Sequence, residues 1–252
     1  MNILAFNIET IPDIDGGQRI YNLQGLDDES TSKALFHLRK QKTGEDELPL
    51  YLQRIAAISV VYRVIDEDGD HEISVKSLGD KDTSEAQLLE LFFNEIEQRT
   101  PTLVSWNGTA FDLPIIHYRA LKNKVVAPAY WEINVDDNSY RRDRHTDLMD
   151  VLSNYKELVG APLNDIALLL GFPGKQVMKT AEIWEEFQQG NIDTIRNYSE
   201  VSVLNSYLIY LRFQLIRGEI SDEDLNNECT MLKQKLEKSE QQHLQDFAQA
   251  WE

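Results

Sequence analysis

Asn7 and Glu9 stand two residues apart inside the apolar run Ile3-Leu4-Ala5-Phe6-Asn7-Ile8-Glu9, which Thr10, Ile11 and Pro12 close. The run reads as a buried strand ending at the rim of a sheet. Side chains alternate along a strand, so residues i and i+2 leave it on the same face. Two polar groups emerging together from an otherwise apolar strand suit a ligand. A polar pair on a half-solvated edge strand is the plainer alternative.

Two further segments place polar residues at the ends of apolar elements. One is Trp106-Asn107-Gly108-Thr109-Ala110-Phe111-Asp112-Leu113-Pro114, which passes from a strand into a helix. The other is Tyr198-Ser199-Glu200-Val201-Ser202, inside the longest helical pattern, where Tyr198 and Ser202 share a face at i and i+4. Each alone has a structural account: an acid at a helix start meets the helix dipole, and a helical tyrosine packs in a core.

The elements that must bring these segments together follow from hydrophobic period and turn chemistry. Helical spacing is expected over 32–42, and a strong strand over Ile55 to Val64. Asp68-Gly69-Asp70 is a hairpin signal, with the returning strand at Ile73 to Leu78. Thr83 or Ser84 caps a helix with apolar positions at Leu88, Leu89, Leu91, Phe92 and Ile96, and Thr102 to Trp106 is a further strand. Helices are expected from Phe111 to Lys122, Leu163 to Leu170, Ala181 to Gln189 and Ile192 to Arg217. Gly16-Gly17 and Asp27-Asp28-Glu29 read as a polar connection, and Tyr130 to Arg144 as a polar, aromatic stretch. Strand, hairpin strands, helix and strand in succession make an α/β plan with a mixed sheet. Ser221 to Glu252 is a polar stretch with apolar residues at helical spacing, expected as a solvated amphipathic helix packing on the body or on a second subunit.

In this order and spacing the three segments resemble the DEDD superfamily of 3′–5′ exonucleases, DEDDy type. The chain is similar in particular to the bacterial group of predicted exonucleases related to the proofreading domain of family-B DNA polymerases. Asn7-Ile8-Glu9-Thr10 matches the motif Asp-x-Glu-Thr, Asn107 through Pro114 the second motif, and Tyr198-x-x-x-Ser202 the motif Tyr-x-x-x-Asp. Leu48 to Arg54, His145-Thr146-Asp147-Leu148 and Tyr207 to Gly218 add to the similarity. The resemblance implies an α/β, ribonuclease H-like mixed sheet flanked by helices, with a C-terminal helical extension. It places the exonuclease domain at residues 1–218 and leaves 219–252 as an acidic helical tail.

It also implies hydrolysis of phosphodiesters from the 3′ end of single-stranded DNA or RNA, with Mg²⁺ or Mn²⁺ as cofactor. Two hard divalent ions roughly 3.5–4 Å apart make the attacking water nucleophilic and stabilise the leaving oxygen, and they take oxygen ligands. The metal positions are Asn7, Glu9, Asp112 and Ser202, and Tyr198 orients the water. Thr10, Asn107, Phe111, Leu113, Arg142, His145 and Asp147 are expected to line the substrate groove. Trp106 and Phe111 could stack a terminal base.

Two motif aspartates are replaced, by Asn7 and Ser202, so four carboxylates facing two dications have become two. An amide and a hydroxyl are neutral, weaker donors. At most one ion is expected to bind tightly, and hydrolysis to be lost or slow. A catalytically dead module that holds nucleic acid or a protein, and a nuclease for short oligonucleotides, are the rival readings.

The composition bounds these readings. The 252 residues are 42% hydrophobic and carry a formal charge of −18, which argues against coating nucleic acid by bulk attraction and leaves local grip on a chain end possible. The basic clusters Arg39-Lys40-Lys42, Arg119-Lys122-Lys124 and Arg141-Arg142-Arg144-His145 are the candidate phosphate contacts. Cys229 is the only cysteine, which excludes an internal disulfide and a thiolate metal cage. No apolar run reaches the length of a membrane span, no secretory leader is visible, and the cytoplasm is the expected location. The tail is the surface this pattern offers for a homo-oligomer.

Overall fold

The computed structural model describes residues 2–65, 71–133, 144–156, 160–175 and 177–251. The expected turn at Asp68-Gly69-Asp70, most of the aromatic stretch and Arg141-Arg142 lie outside the described residues.

Five strands form one mixed sheet: β1 (Ile3–Pro12), β2 (Gln53–Ile65), β3 (His71–Ser77), β4 (Thr102–Ser105) and β5 (His145–Asp147). They lie in the order β3-β2-β1-β4-β5. β2 is antiparallel to β1 and β3 to β2, while β4 runs parallel to β1 and β5 to β4. Helices cover both faces, which is the ribonuclease H-like α/β architecture.

β1 is the centre of the sheet, and its two faces read differently. Leu4, Phe6 and Ile8 pack under the helices Glu85–Arg99 and Asp112–Asn123, with Leu88, Leu89, Phe92, Ile115 and Ile116 as partners. Ile3 and Ala5 face the opposite layer, built on the helix Ile192–Ile216. Ile11 continues that face against Ile195, Ile183 and Trp184. Asn7 and Glu9 fall between Ala5 and Ile11, so period-two alternation aims both at the long helix. That helix has 25 residues, roughly 37 Å at 1.5 Å per residue, enough to cross the whole sheet. Where it crosses β1 it presents Ser199, a small buried residue whose Oγ accepts from Asn7 Nδ2 at 3.1 Å.

The sheet rim is shaped by a mismatch in strand length. β4 pairs with β1 only at Ile3, Leu4 and Ala5, so the second half of β1 extends past it. On its other edge β1 carries a register shift between Glu9 and Thr10, with Ala56 as the extra residue on β2. A bulge of this kind re-aims side chains and is common beside functional sites.

Several elements differ from the sequence expectation. Gly16-Gly17 belongs to a helix, Ile14–Tyr21, capped by Asp13. Gly17 is there for close packing: a Cβ would stand 2.5 Å from a Leu35 methyl group. The acids at 27–29 start a helix, Asp28–Thr43, with Asp27 accepting from the Ser30 N–H. Pro128–Ile133 is helical as well. The C-terminal stretch forms two helices, Asp222–Glu237 and Gln242–Ala250. Leu225, Leu232, Leu236, Leu244, Phe247 and Trp251 join the core of the long helix, so one face of the pair is buried rather than solvated. Among the described residues no helix is long and apolar enough to cross a membrane.

Candidate active site

β1 delivers Glu9, and the start of the helix Asp112–Asn123 delivers Asp112 beside it. Because β4 has already ended, the Ile8 N–H lacks a strand partner there and donates to Asp112 Oδ1 at 3.0 Å. Asn7 bridges outward: its Nδ2 donates to Glu9 Oε1 at 3.0 Å and to Ser199 Oγ at 3.1 Å. The first motif thus touches the second through Ile8 and the third through Ser199, three fragments remote in sequence gathered at one rim. Ligands of open α/β sheets bind at such a carboxyl edge.

The third segment meets a loop rather than a carboxylate. Ser202 Oγ donates to the Tyr198 carbonyl at 3.0 Å and accepts from Lys175 Nζ at 2.6 Å. The same ammonium lies 4.1 Å from the centroid of the Tyr198 ring. The Tyr198 hydroxyl accepts from the Met178 N–H at 3.2 Å. Glu200, one position round the helix from Ser199, turns away from the site. It accepts from Ser77 N–H and Oγ, both at 2.7 Å, and pairs with His243 at 2.8 Å.

Burial dominates the electrostatics. It pushes Glu9 up to about 7, against the Lys175 charge and the Asn7 N–H, which pull the other way. Asp112 is likewise pushed up to about 7 by burial, with the Ile8 N–H opposing and the neighbouring Glu9 and Asp147 charges adding to the rise. Each carboxyl is buried and holds its negative charge at a cost.

The remaining residues expected at the groove have definite places. Asp147 Oδ1 and Oδ2 accept from the N–H groups of Asn107 and Thr109 at 2.9 and 2.8 Å, and Oδ1 also takes Met149 N–H at 3.1 Å. It thereby ties the turn after β4 to the end of β5. Asn107 sits at the left-handed φ of 63° that this turn requires. Thr10 Oγ1 donates to Gln53 Oε1 at 2.5 Å and is buried. His145 Nε2 is 2.8 Å from Ser105 Oγ; burial lowers its pKa to about 4, against the pull of Asp147, so the ring is neutral. Phe111 and Leu113 pack against the core under β1, and Leu113 with Thr109 and Trp131 also lines a cleft of about 450 Å³ beside the second motif. Trp106 Nε1 donates to the Ala161 carbonyl at 3.2 Å. Arg142 lies outside the described residues.

Two of the basic clusters are engaged elsewhere. Arg39 and Lys40 pair with Glu45 and Asp46 at the surface. Arg119 and Lys122 form ion pairs with Asp13 and Glu85. Among the described residues Lys175 is a cation that contacts the third segment, and no spacing rule pointed to it. It stands in a Gly-Phe-Pro-Gly-Lys loop with no fixed offset from any motif.

The donor set does not fit a pair of divalent ions. At the four motif positions two carboxylates are present, each with an oxygen already accepting a hydrogen bond, and Asn7 presents its NH₂ to Glu9. Ser202 Oγ faces an ammonium. Among the described residues no three acids, imidazoles or thiols gather as a metal site requires.

A search of the curated proteins finds no match for the chain. A family model does match, over residues 45–251, that is most of the chain and including both C-terminal helices. With its fold and the convergence of its three motifs, the chain belongs to the family of predicted 3′–5′ exonucleases related to the exonuclease domain of PolB.

Proposed function

We propose that this chain receives the 3′ end of a single-stranded nucleic acid in the groove between the end of β1, Asp112 and the long helix, and that hydrolysis there is impaired. In this reading residues 1–218 carry the groove, 219–252 form an acidic helical tail, and the protein works in the cytoplasm. The observation that carries it is the meeting of Asn7, Glu9 and Asp112 at the rim, with Ser199 of the long helix hydrogen-bonded to Asn7. The place is that of an exonuclease centre, and the charge there is half of what a metal pair needs.

A divalent ion, Mg²⁺ or Mn²⁺, is the family's cofactor, and Glu9 and Asp112 are the residues left to hold one. The chain's own contribution is position: Asp147 holds the turn that starts the Asp112 helix, and Met178 holds the Tyr198 hydroxyl. Strong grip on a long phosphate backbone is not expected of a chain at −18.

The test is degradation of end-labelled DNA and RNA twenty-mers and dinucleotides, with Mg²⁺ or Mn²⁺. The parent chain should be slow or inactive. N7D/S202D, which restores four carboxylates, should shorten the strands from the 3′ end at least about 100-fold faster, on the scale of metal-ion catalysis. Binding of the twenty-mer with no cleavage by the double variant would instead favour a binding module. Cleavage confined to dinucleotides would favour a nuclease for short oligonucleotides.

A further inference from the structure

Lys175 reaches the candidate site from a loop that is built to hold it. Asn205, three positions after Ser202 on the long helix, clasps the residue before it: Nδ2 donates to the Gly174 carbonyl at 2.9 Å, and Oδ1 accepts the Gly174 N–H at 3.2 Å. The Lys175 N–H donates to Asn164 Oδ1 at 2.8 Å. Gly174 has a φ of +66°, and a Cβ there would lie 2.7 Å from that same Asn164 oxygen, so the bend is reserved for glycine. Met178, further along, closes on the Tyr198 hydroxyl. The root of the lysine is therefore fixed by Asn205 and Asn164, and its tip by Ser202 Oγ at 2.6 Å and the face of Tyr198 at 4.1 Å.

We infer that the Lys175 ammonium is the resident cation of this site: lodged on Ser202 and Tyr198, it takes the place of a divalent ion and makes binding in the groove independent of metal. The inference rests on the proposed reading of the groove as a seat for a nucleic-acid end. Position 202 is a metal position in the resemblance, and its hydroxyl now accepts from an ammonium. Among the described residues no carboxylate lies within ion-pair distance of Nζ, so its charge is not cancelled locally. It acts through space on Glu9. One positive charge faces two buried acids, where two dications would face four. A dication entering beside Lys175 meets like-charge repulsion in a poorly solvated place, where it is screened little.

The experiment uses the full chain, the charge-free K175M and the charge-keeping K175R, each checked for folding by circular dichroism. Mn²⁺ binding is read by electron paramagnetic resonance, and binding of a 3′-labelled single-stranded twenty-mer by fluorescence anisotropy in EDTA and in Mg²⁺. The parent and K175R should bind Mn²⁺ only in the millimolar range, and K175M at least about tenfold tighter. The parent should bind the oligonucleotide equally in EDTA and Mg²⁺, whereas K175M should depend on Mg²⁺. Micromolar Mn²⁺ binding by the parent, unchanged in K175M, would overturn the inference while leaving the groove reading in place. The expected Mn²⁺ pattern with no oligonucleotide bound in any condition would support the resident cation and remove the groove reading.

Discussion

Two sets of buried carboxylates lie near the same end of β1, anchored by Glu9 and Asp13 four residues apart along the chain, and their surroundings are opposite. Asp13 and Glu85 are answered by cations. Arg119 gives Nη1 to Asp13 at 2.5 Å and a two-pronged contact to Glu85, with Nε at 2.7 Å and Nη2 at 2.6 Å. Lys122 Nζ adds contacts to Asp13 at 2.5 and 2.6 Å. Burial works to raise Asp13, yet the hydrogen bonds from Lys122 and Arg119 win, and its pKa lies below the ordinary value. Glu9 and Asp112 are as deeply enclosed but meet N–H groups and one ammonium at a distance, and both are pushed up to about 7. Burial alone therefore does not mark a site. Burial without a directly paired cation does, because such acids hold charge at a cost that no structural ion pair offsets.

The comparison breaks most visibly at Arg119. R119M leaves Asp13 and Glu85 in the interior without a guanidinium, which should cost about 3–5 kcal/mol of stability in urea unfolding. A cost under about 1 kcal/mol would mean that the network is a solvated surface feature, and that its contrast with Glu9 and Asp112 carries nothing.

Next comes pH, where the two sets should slope in opposite directions in the presence of a chelator. For Glu9 and Asp112 the folded pKa is raised above the unfolded value, so the native state retains protons that the unfolded chain has lost. Their contribution to stability falls as pH rises from about 4 to about 7, then levels. For Asp13 the folded value is lowered, so its contribution is present above the unfolded pKa of 3.8 and is lost as pH falls below that. E9Q/D112N keeps the accepting oxygens and removes both acids. It should be more stable than the parent at pH 8 by about 1–3 kcal/mol and no more stable at pH 4, by thermal unfolding across that range. Equal stability at pH 8 would place Glu9 and Asp112 among the paired acids.

The same contrast explains what could be read from the chain and what could not. Asn7 and Glu9 were legible because a strand's period of two is local, and the odd residues 3, 5 and 11 confirm the face they share. Asp112 was legible as an acid at a helix start. The role of Arg119 was not: it reads as part of a basic cluster for phosphate, while its partners lie 106 and 34 residues away. Lys175 was hidden for the same reason, since a loop side chain meets Ser202 only after the long helix has packed. Asp147 lines the cleft beside the second motif, but its grip on the backbone N–H groups of the turn after β4 could not be read from its His-Thr-Asp segment. Gly16-Gly17 misread as a connection because close packing on Leu35, like a turn, selects glycine.

Glu200 sharpens the comparison at its smallest scale, since it sits two residues from Ser202 on the same helix. It is buried, yet its pKa is lowered: burial raises it, and the His243 and Ser77 hydrogen bonds more than offset that. His243 comes from the last helix, so this pair also fastens the C-terminal segment to β3 through the long helix. H243A removes one of the contacts to Glu200 and leaves both from Ser77. The expected cost is about 1–2 kcal/mol near pH 7, the worth of a hydrogen bond to a charged group. Because the folded pKa of Glu200 is depressed, that cost should shrink only as pH falls from 4.5 through the lower folded value, where the native carboxyl takes up its proton. Urea midpoints from pH 7 down to the acid edge of the folded range, well below 4.5, measure it. The same cost throughout would show that His243 acts by packing alone, and that Glu200 does not belong with the answered acids.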